Sequence, residues 1–298
     1  MKKILFPTFN RVHEARQKLL LNELAKDFEI HVTTYGEKDL DMANVAVDIA
    51  SKFQNALNTI KPDLALLRGD RFEMLVPAML CAYNRIPIAH IEGFDLSGAI
   101  DNKVRYAVSY LSDYHFVTND ESYRRALAMG FNNVWNFGSL DCEYAMEISG
   151  VMQNKPYVVV LYHQVPNERP GAVLEALEPF KNDYQIFGIK SNRDYGQSTY
   201  KEEYAPNEFI RLLRGAKCLI GNSSAGIKEA SVLCLPVVNI GERQANRVKP
   251  PNVKDCKCEK QDIEYAIKYQ LDHRYPISTL YYKPYASKNI SEIIKSLI

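Results

Sequence analysis

The sequence predicts an α/β protein made of two Rossmann-like, doubly wound parallel-sheet domains. Three observations predict it. Short apolar runs alternate with longer stretches whose apolar residues recur at helical spacing, the mark of repeated βαβ units. The alternation breaks near residue 150 and then restarts. Almost every predicted strand ends in polar or charged residues, and ligands of such sheets bind outside the carboxyl ends of the strands.

The elements follow in order. "KKILFPTF" is the first strand, "EARQKLLLNELAKDF" a helix and "EIHVTTY" the second strand. "VDIASKFQNALNTIKP" is helical and leads into the strand "DLALL". "RFEMLVPAMLCAYNR", "NKVRYAVSYLSD" and "ESYRRALAMGF" are helices, and "IPIAHIEG", "YHFVTN" and "VWNFG" the strands that follow them in turn. "ISGVMQNKP" then interrupts the pattern. The expected domains are residues 1–150 and 151–298, with the last helix packing back on the first. "KPYVVVLYHQ" reads as a strand buried on both faces. Next come the helix "GAVLEALEPFKND", the strand "YQIFGIK" and a polar loop from Ser191 to Ser198. "NEFIRLLRGA", "SAGIKEASVLC", "KQDIEYAIKYQLD" and "SKNISEIIKSLI" are helices, and "KCLIGN" and "PVVNIG" strands.

Composition excludes several classes. Lys+Arg total 37 and Asp+Glu 36, so the basic excess of a dedicated nucleic-acid binder is missing. No apolar run approaches the roughly 20 residues of a membrane span. "MKKILFPTFN" lacks the long apolar region and cleavage site of a signal peptide and reads as the first strand of a cytoplasmic protein. Cys81, Cys218 and Cys234 lie within apolar patterns, as ordinary buried thiols do. Cys256-Lys257-Cys258 is the one close pair, without the second pair or histidines that a metal site uses.

The strand ends give a list of candidates. Arg11 follows the first strand, and Asp70 and Arg71 follow "DLALL", within "LRGDRFEM". Glu92 and Asp95 follow "IPIAH" and lead to Asp101 and Arg105. His163 follows "YVVVLY", and Asn192 and Asp194 follow "YQIFGIK". Ser223, Ser224 and Gly226 follow "KCLI", Glu229 lies just beyond, and Arg243 follows "PVVNI". Carboxylates gathered in one cleft raise one another's pKa and arginines lower it, a mixture suited to acid–base work or to stabilising a carbocation. The plainer alternative is separate caps and salt bridges. "IGNSSAGIKEA" ends a strand and opens a helix, where free N–H groups favour an anion. It is neither a P-loop nor a G-x-G-x-x-G fingerprint, and Ser223 or Ser224 could be a plain N-cap.

Together "LRGDRFEML", "AHIEGFDLSGAID", "IGNSSAGIKEA" and "PVVNIGERQANR", with "TFNR" and "NRDYG", resemble the hydrolysing UDP-N-acetylglucosamine 2-epimerases of sialic-acid-type pathways. The resemblance runs from about Thr8 to Val253. It implies a GT-B arrangement with an interdomain cleft, and conversion of UDP-GlcNAc to UDP and N-acetylmannosamine. The implied chemistry is anti elimination to a glycal followed by hydration, without NAD or metal. It implies Asp70, Glu92, Asp101 and His163 as catalytic residues. It implies Arg11, Arg71, Arg105, Asn192, Asp194, Ser223, Ser224, Gly226, Glu229 and Arg243 as contacts to a UDP-sugar, and a homo-oligomer, dimer or tetramer. No nucleic acid, membrane or cofactor is implied.

The chain departs from the family's pattern. Phe94 stands where a second glycine is usual, Tyr106 where a histidine commonly follows Arg105, and Gln164 where proline often follows His163. It is also shorter than typical members by several tens of residues, much of the difference falling between "HVTTYG" and "VDIASKF". Three further readings therefore stand beside the first: the same chemistry on a UDP-2,4-diacetamido-2,4,6-trideoxyhexose, a GT-B glycosyltransferase, and an inactive UDP-sugar binder.

Overall fold

The computed structural model describes residues 1–9, 16–35, 41–69, 71–97, 101–165, 168–169, 171–190 and 203–298; at Asp101 only the backbone is described. The chain divides into two compact units, Met1–Tyr144 with Tyr281–Ile298, and Ala145–Leu280.

In the first unit the elements run β1 (Lys3–Thr8), α1 (Lys18–Leu24), β2 (Glu29–Thr34), α2 (Met42–Ile60), β3 (Leu64–Arg68), α3 (Leu75–Tyr83), β4 (Ile88–Ile91), α4 (Asp101–Tyr110), β5 (Tyr114–Val117), α5 (Asp120–Ala128), β6 (Val134–Asn136) and α6 (Leu140–Glu147). The strands pair in the order β2-β1-β3-β4-β5-β6, all parallel. Strand alternation sorts the side chains onto two buried faces. Ile4, Phe6, Leu64 and Leu66 meet Leu20 and Leu24 of α1 on one face. Leu5, Ala65 and Leu67 meet Ile49, Phe53 and Leu57 of α2 on the other. Both faces are covered, so the strands read as continuous apolar runs.

The second unit runs β7 (Tyr157–Leu161), α7 (Ala172–Leu177), β8 (Gln185–Gly188), α8 (Pro206–Gly215), β9 (Leu219–Gly221), α9 (Glu229–Val232), β10 (Val237–Ile240), β11 (Val253–Cys256) and α10 (Lys260–Leu271). Its strand order is β11-β10-β9-β7-β8, again parallel. Val158, Val160, Ile220 and Val238 pack against α7 and α10. The final helix α11 (Ala286–Leu297) belongs to the first unit, where Ala286, Ile290 and Ile294 join the core beside α1. Each buried isoleucine there contributes about 1.5–3 kcal/mol.

The doubly wound α/β class expected from the sequence is the class observed. Three elements differ. α6, after the predicted strand "VWNFG", has no counterpart in the sequence reading. β11 has no counterpart in the sequence reading, because "VKDC" is a half-exposed edge strand without apolar alternation. The expected helix "SAGIKEASVLC" is instead a 3₁₀ turn, Ser224–Gly226, followed by the four-residue α9. At Gly226 a Cβ would sit 2.8 Å from Val237 Cγ1, so this turn presses its backbone onto β10.

Candidate functional site

In a doubly wound sheet the crevice lies where the strand order reverses. In the first unit that point is between β1 and β3, and in the second between β7 and β9. Each unit places a polar cluster there. A groove of about 510 Å³ lined by Leu57, Asn58, Lys61, Pro62, Asn84 and Ile86 lies elsewhere. Pro62 precedes β3 and Ile86 precedes β4, which puts it at the opposite sheet edge.

In the first unit β3 ends on Arg68, which is buried. Its Nη2 donates to Glu92 Oε1 at 2.9 Å and lies 2.9 Å from Asp141 Oδ1. Ser139 Oγ donates to the same Glu92 oxygen at 3.2 Å, and Arg16 Nη1 lies 3.6 Å from Asp141 Oδ1. Burial alone would favour a neutral guanidinium, but the charges of Asp141 and Glu92 outweigh it and raise the Arg68 pKa above its ordinary value. Glu92 reaches this cluster from a left-handed backbone, φ 67°, and Phe94 has φ 62°. Two such non-glycine residues in three positions store strain at a strand end. Phe94 thus holds, in the conformation a glycine adopts freely, the position where the sequence departs from Gly-Gly. Its ring, stacked edge-on against Phe131 and His115, holds it there.

His90 organises the neighbouring turn. Its Nε2 lies 2.9 Å from the Gly69 carbonyl and its Nδ1 3.0 Å from Ser109 Oγ. The carbonyl can only accept, so Nε2 carries the proton and Nδ1 accepts from the serine. Burial pushes the His90 pKa down to about 4, against smaller opposing effects of the Gly69 carbonyl and Glu92. His90 is therefore neutral and clamps the residue just before Asp70.

Other candidates have internal partners. Arg71 donates to both carboxylate oxygens of buried Glu73, at 2.7–3.2 Å. Asp95 accepts from Thr118, Asn119 and Ser122 side chains at 2.7–3.1 Å, tying the β4 loop to the start of α5. Arg105 is buried, and its Nη1 donates to the Asp95 carbonyl and, at 2.9 Å, to Asn102 Oδ1. Arg105 thus supports the loop leading to Asp101. Asp70, Arg11, Asn192 and Asp194 lie outside the described residues, as does the Asp101 side chain.

In the second unit Asn222 is the hub. Gly221 must be glycine: a Cβ there would stand 1.9 Å from the Leu161 carbonyl oxygen. That close approach of β9 to β7 brings fully buried Asn222 against His163. Asn222 Oδ1 accepts from the His163 N–H and its Nδ2 donates to the His163 carbonyl, both at 2.8 Å. The Asn222 carbonyl accepts from Arg243 Nη1 and Gln244 Nε2, both at 3.0 Å. Ser223 caps the 3₁₀ turn by accepting from the Ala225 N–H at 3.3 Å, and Glu229 is buried at the start of α9. The ends of β7, β9 and β10 therefore present His163, Ser223 and Arg243 around buried Asn222.

Beyond this cluster, Cys256 and Cys258 are free thiols whose pKa values burial raises, to about 12 for Cys256. Among the described residues no helix is long and apolar enough to cross a membrane.

The sequence reading missed Arg68, Ser139, Asp141, His90 and Glu73, and gave Asn222 and Gln244 no role of their own. Arg68 stood in the stretch already singled out, two residues before Asp70. Asp141 and Ser139 carried no signal, being separated from Glu92 by more than 45 residues.

Known proteins resemble this chain in sequence and in fold. The sequence profile of a family described as UDP-N-acetylglucosamine 2-epimerase matches residues 12–295. Over 252 residues the chain is 31% identical to the GDP/UDP-N,N'-diacetylbacillosamine 2-epimerase (hydrolyzing) of Campylobacter jejuni, covering 71% of this chain and 65% of that protein. It is 30% identical over 238 residues to the UDP-N-acetylglucosamine 2-epimerase of Neisseria meningitidis serogroup B, covering 70% and 63%. The matches thus span just under two thirds of these relatives' lengths. The crystal structure of UDP-GlcNAc 2-epimerase from Neisseria meningitidis bound to UDP-GlcNAc superposes with a TM-score of 0.83 at 18% identity, over 99% of this chain and 100% of that one. At that identity the likeness carries the fold.

Proposed function

The chain belongs to the UDP-N-acetylglucosamine 2-epimerase family, and from that premise we propose that it is a hydrolysing epimerase converting UDP-GlcNAc and water to UDP and N-acetylmannosamine. The observation that carries the reading is the division of charge between the two switch points. The first unit gathers carboxylates around one buried arginine, whereas the second presents His163, Ser223 and Arg243 around Asn222.

The second unit binds the nucleotide. Arg243 and Ser223 contact the diphosphate, His163 stands beside it and Glu229 takes the ribose hydroxyls; Arg11 and Arg71 add positive charge. The first unit supplies the acids. One carboxylate of the set Asp70, Glu92 and Asp101 removes the C2 proton. The C1–O bond breaks, UDP leaves with its electron pair and a C1–C2 double bond remains. Water then adds at C1 while a proton returns to C2 on the opposite face, giving the free 2-epimer. The remaining carboxylates stabilise positive charge at C1 in both half-reactions. Asn192 and Asp194 belong to the sugar side. Arg105, which braces the Asp95 carbonyl, belongs with the contacts to the UDP-sugar.

A second reading, the same chemistry on UDP-2,4-diacetamido-2,4,6-trideoxyhexose, is favoured by the named activity of the Campylobacter relative and by a second, 31% identical diacetylbacillosamine 2-epimerase from Legionella pneumophila. Incubation with each nucleotide sugar, followed by proton NMR, separates the two. Release of UDP with the free 2-epimeric sugar is expected. UDP release only in the presence of an acceptor would make the chain a glycosyltransferase, and UDP binding without turnover an inactive binder.

A further inference from the structure

We propose that Arg68 and Asp141 are positioning residues for Glu92: Arg68 is its cation, and Asp141 anchors the guanidinium that holds it. The proposal rests on the reading of Glu92 as one of the reacting acids. Both described contacts to the Glu92 carboxylate, from Arg68 and from Ser139, fall on Oε1. Two donors on one oxygen fix the orientation of the group. Asp141 Oδ1 lies 2.9 Å from the same Nη2 of Arg68, and Asp141 in turn lies near Arg16. Asp141 also lies two residues after Ser139, at the start of α6, and its own N–H donates to Ser139 Oγ at 3.2 Å. One turn at the end of β6 therefore supplies both supports. The same Ser139 donates its N–H to the Tyr281 carbonyl at 2.7 Å, which braces that turn on the segment leading to α11.

Among the described residues, the charged and titratable groups facing Glu92 are Arg68 from β3, His90 from β4, Asp141 from α6 and, behind Asp141, Arg16. His90 is neutral at working pH, whereas Arg68 and Asp141 act on the charge of Glu92 in opposite senses. An arginine that merely filled space would not produce that opposition.

Two substitutions exploit it. Arg68→Met removes the cation and leaves Asp141 as an uncompensated neighbour, so the Glu92 carboxyl should titrate about one to three pH units higher. Asp141→Asn removes the competing carboxylate, so Glu92 should titrate lower than in the unsubstituted protein. Carbon-13 NMR of the full chain labelled at glutamate carboxyls, with Glu92 assigned through Glu92→Gln, reads both shifts without any turnover. In assays with UDP-GlcNAc the acid limb of kcat/KM should move in the same two directions. Arg68→Lys should restore part of the kcat lost in Arg68→Met. Asp141→Asn is nearly isosteric and carries the test alone should Arg68→Met fail to fold. A Glu92 titration unmoved by Asp141→Asn in folded protein overturns the proposal. Opposite shifts in a chain that turns over no UDP-sugar would leave the charge coupling standing and sink the proposed function instead.

Discussion

The side-chain amide of Asn222 grips the backbone of His163 from both ends, accepting from its N–H and donating to its carbonyl, each at 2.8 Å. Both residues are buried, so these bonds are made out of water. Asn222→Ala removes a bond from each of two buried backbone groups, each worth about 1–3 kcal/mol. Urea denaturation should register a loss of that order per group. Asn222→Asp keeps the acceptor and loses the donor, and should fall between the two. Equal stability of all three proteins would show that the bonds are replaced.

Acid should destabilise the first unit through His90. Its folded pKa, about 4, lies below the ordinary 6.5. The unfolded chain therefore binds the proton first. Stability is unaffected above pH 6.5 and falls as the pH drops from 6.5 towards 4, by an amount on the order of 3 kcal/mol. His115, which burial pushes to about 3, adds a slope of the same sign. Thermal melts between pH 4 and 7 should show the decline, and His90→Gln should flatten it. An unchanged slope in that variant would mean that the histidine titrates normally.

Asp70→Asn removes a carboxylate but keeps its shape. Turnover should be lost while UDP affinity by calorimetry stays within about twofold, a change smaller than the weakest ordinary hydrogen bond would produce. Normal activity would return the "LRGDRFEM" turn to a structural role.

Arg243→Ala should weaken UDP binding by about 1.5–3 kcal/mol, roughly 10- to 150-fold, through loss of a charge-assisted phosphate contact. The Asn222 carbonyl keeps its second donor, Gln244, at 3.0 Å, so the fold should survive. Unchanged affinity would mean that the diphosphate lies elsewhere.

The fold was legible in the sequence because period-2 and period-3.6 patterns are local properties. Ile4, Leu5 and Phe6 announce a strand whose two faces are both covered, and the structure puts them in two different cores. β11 escaped because an edge strand has no need of apolar alternation, and "SAGIKEASVLC" misled because its small residues permit a tight turn as readily as a helix. Of the candidate site, the strand-end rule found Glu92, His163, Ser223 and Arg243. It could not find Asp141, which lies 73 positions from Arg68 in the chain and owes its partner to the fold. Nor could it tell that Arg105 donates to the Asp95 carbonyl, since that contact is made only in the fold.

The most direct test of the central claim is turnover in heavy water. Elimination and rehydration require that the proton added to C2 come from an exchangeable group. The free sugar released with UDP, whether from UDP-GlcNAc or from the diacetamido nucleotide, should therefore be the 2-epimer and carry one deuterium at C2. Release of UDP with the original configuration and hydrogen retained at C2 would contradict the account, because it would mean simple hydrolysis at C1.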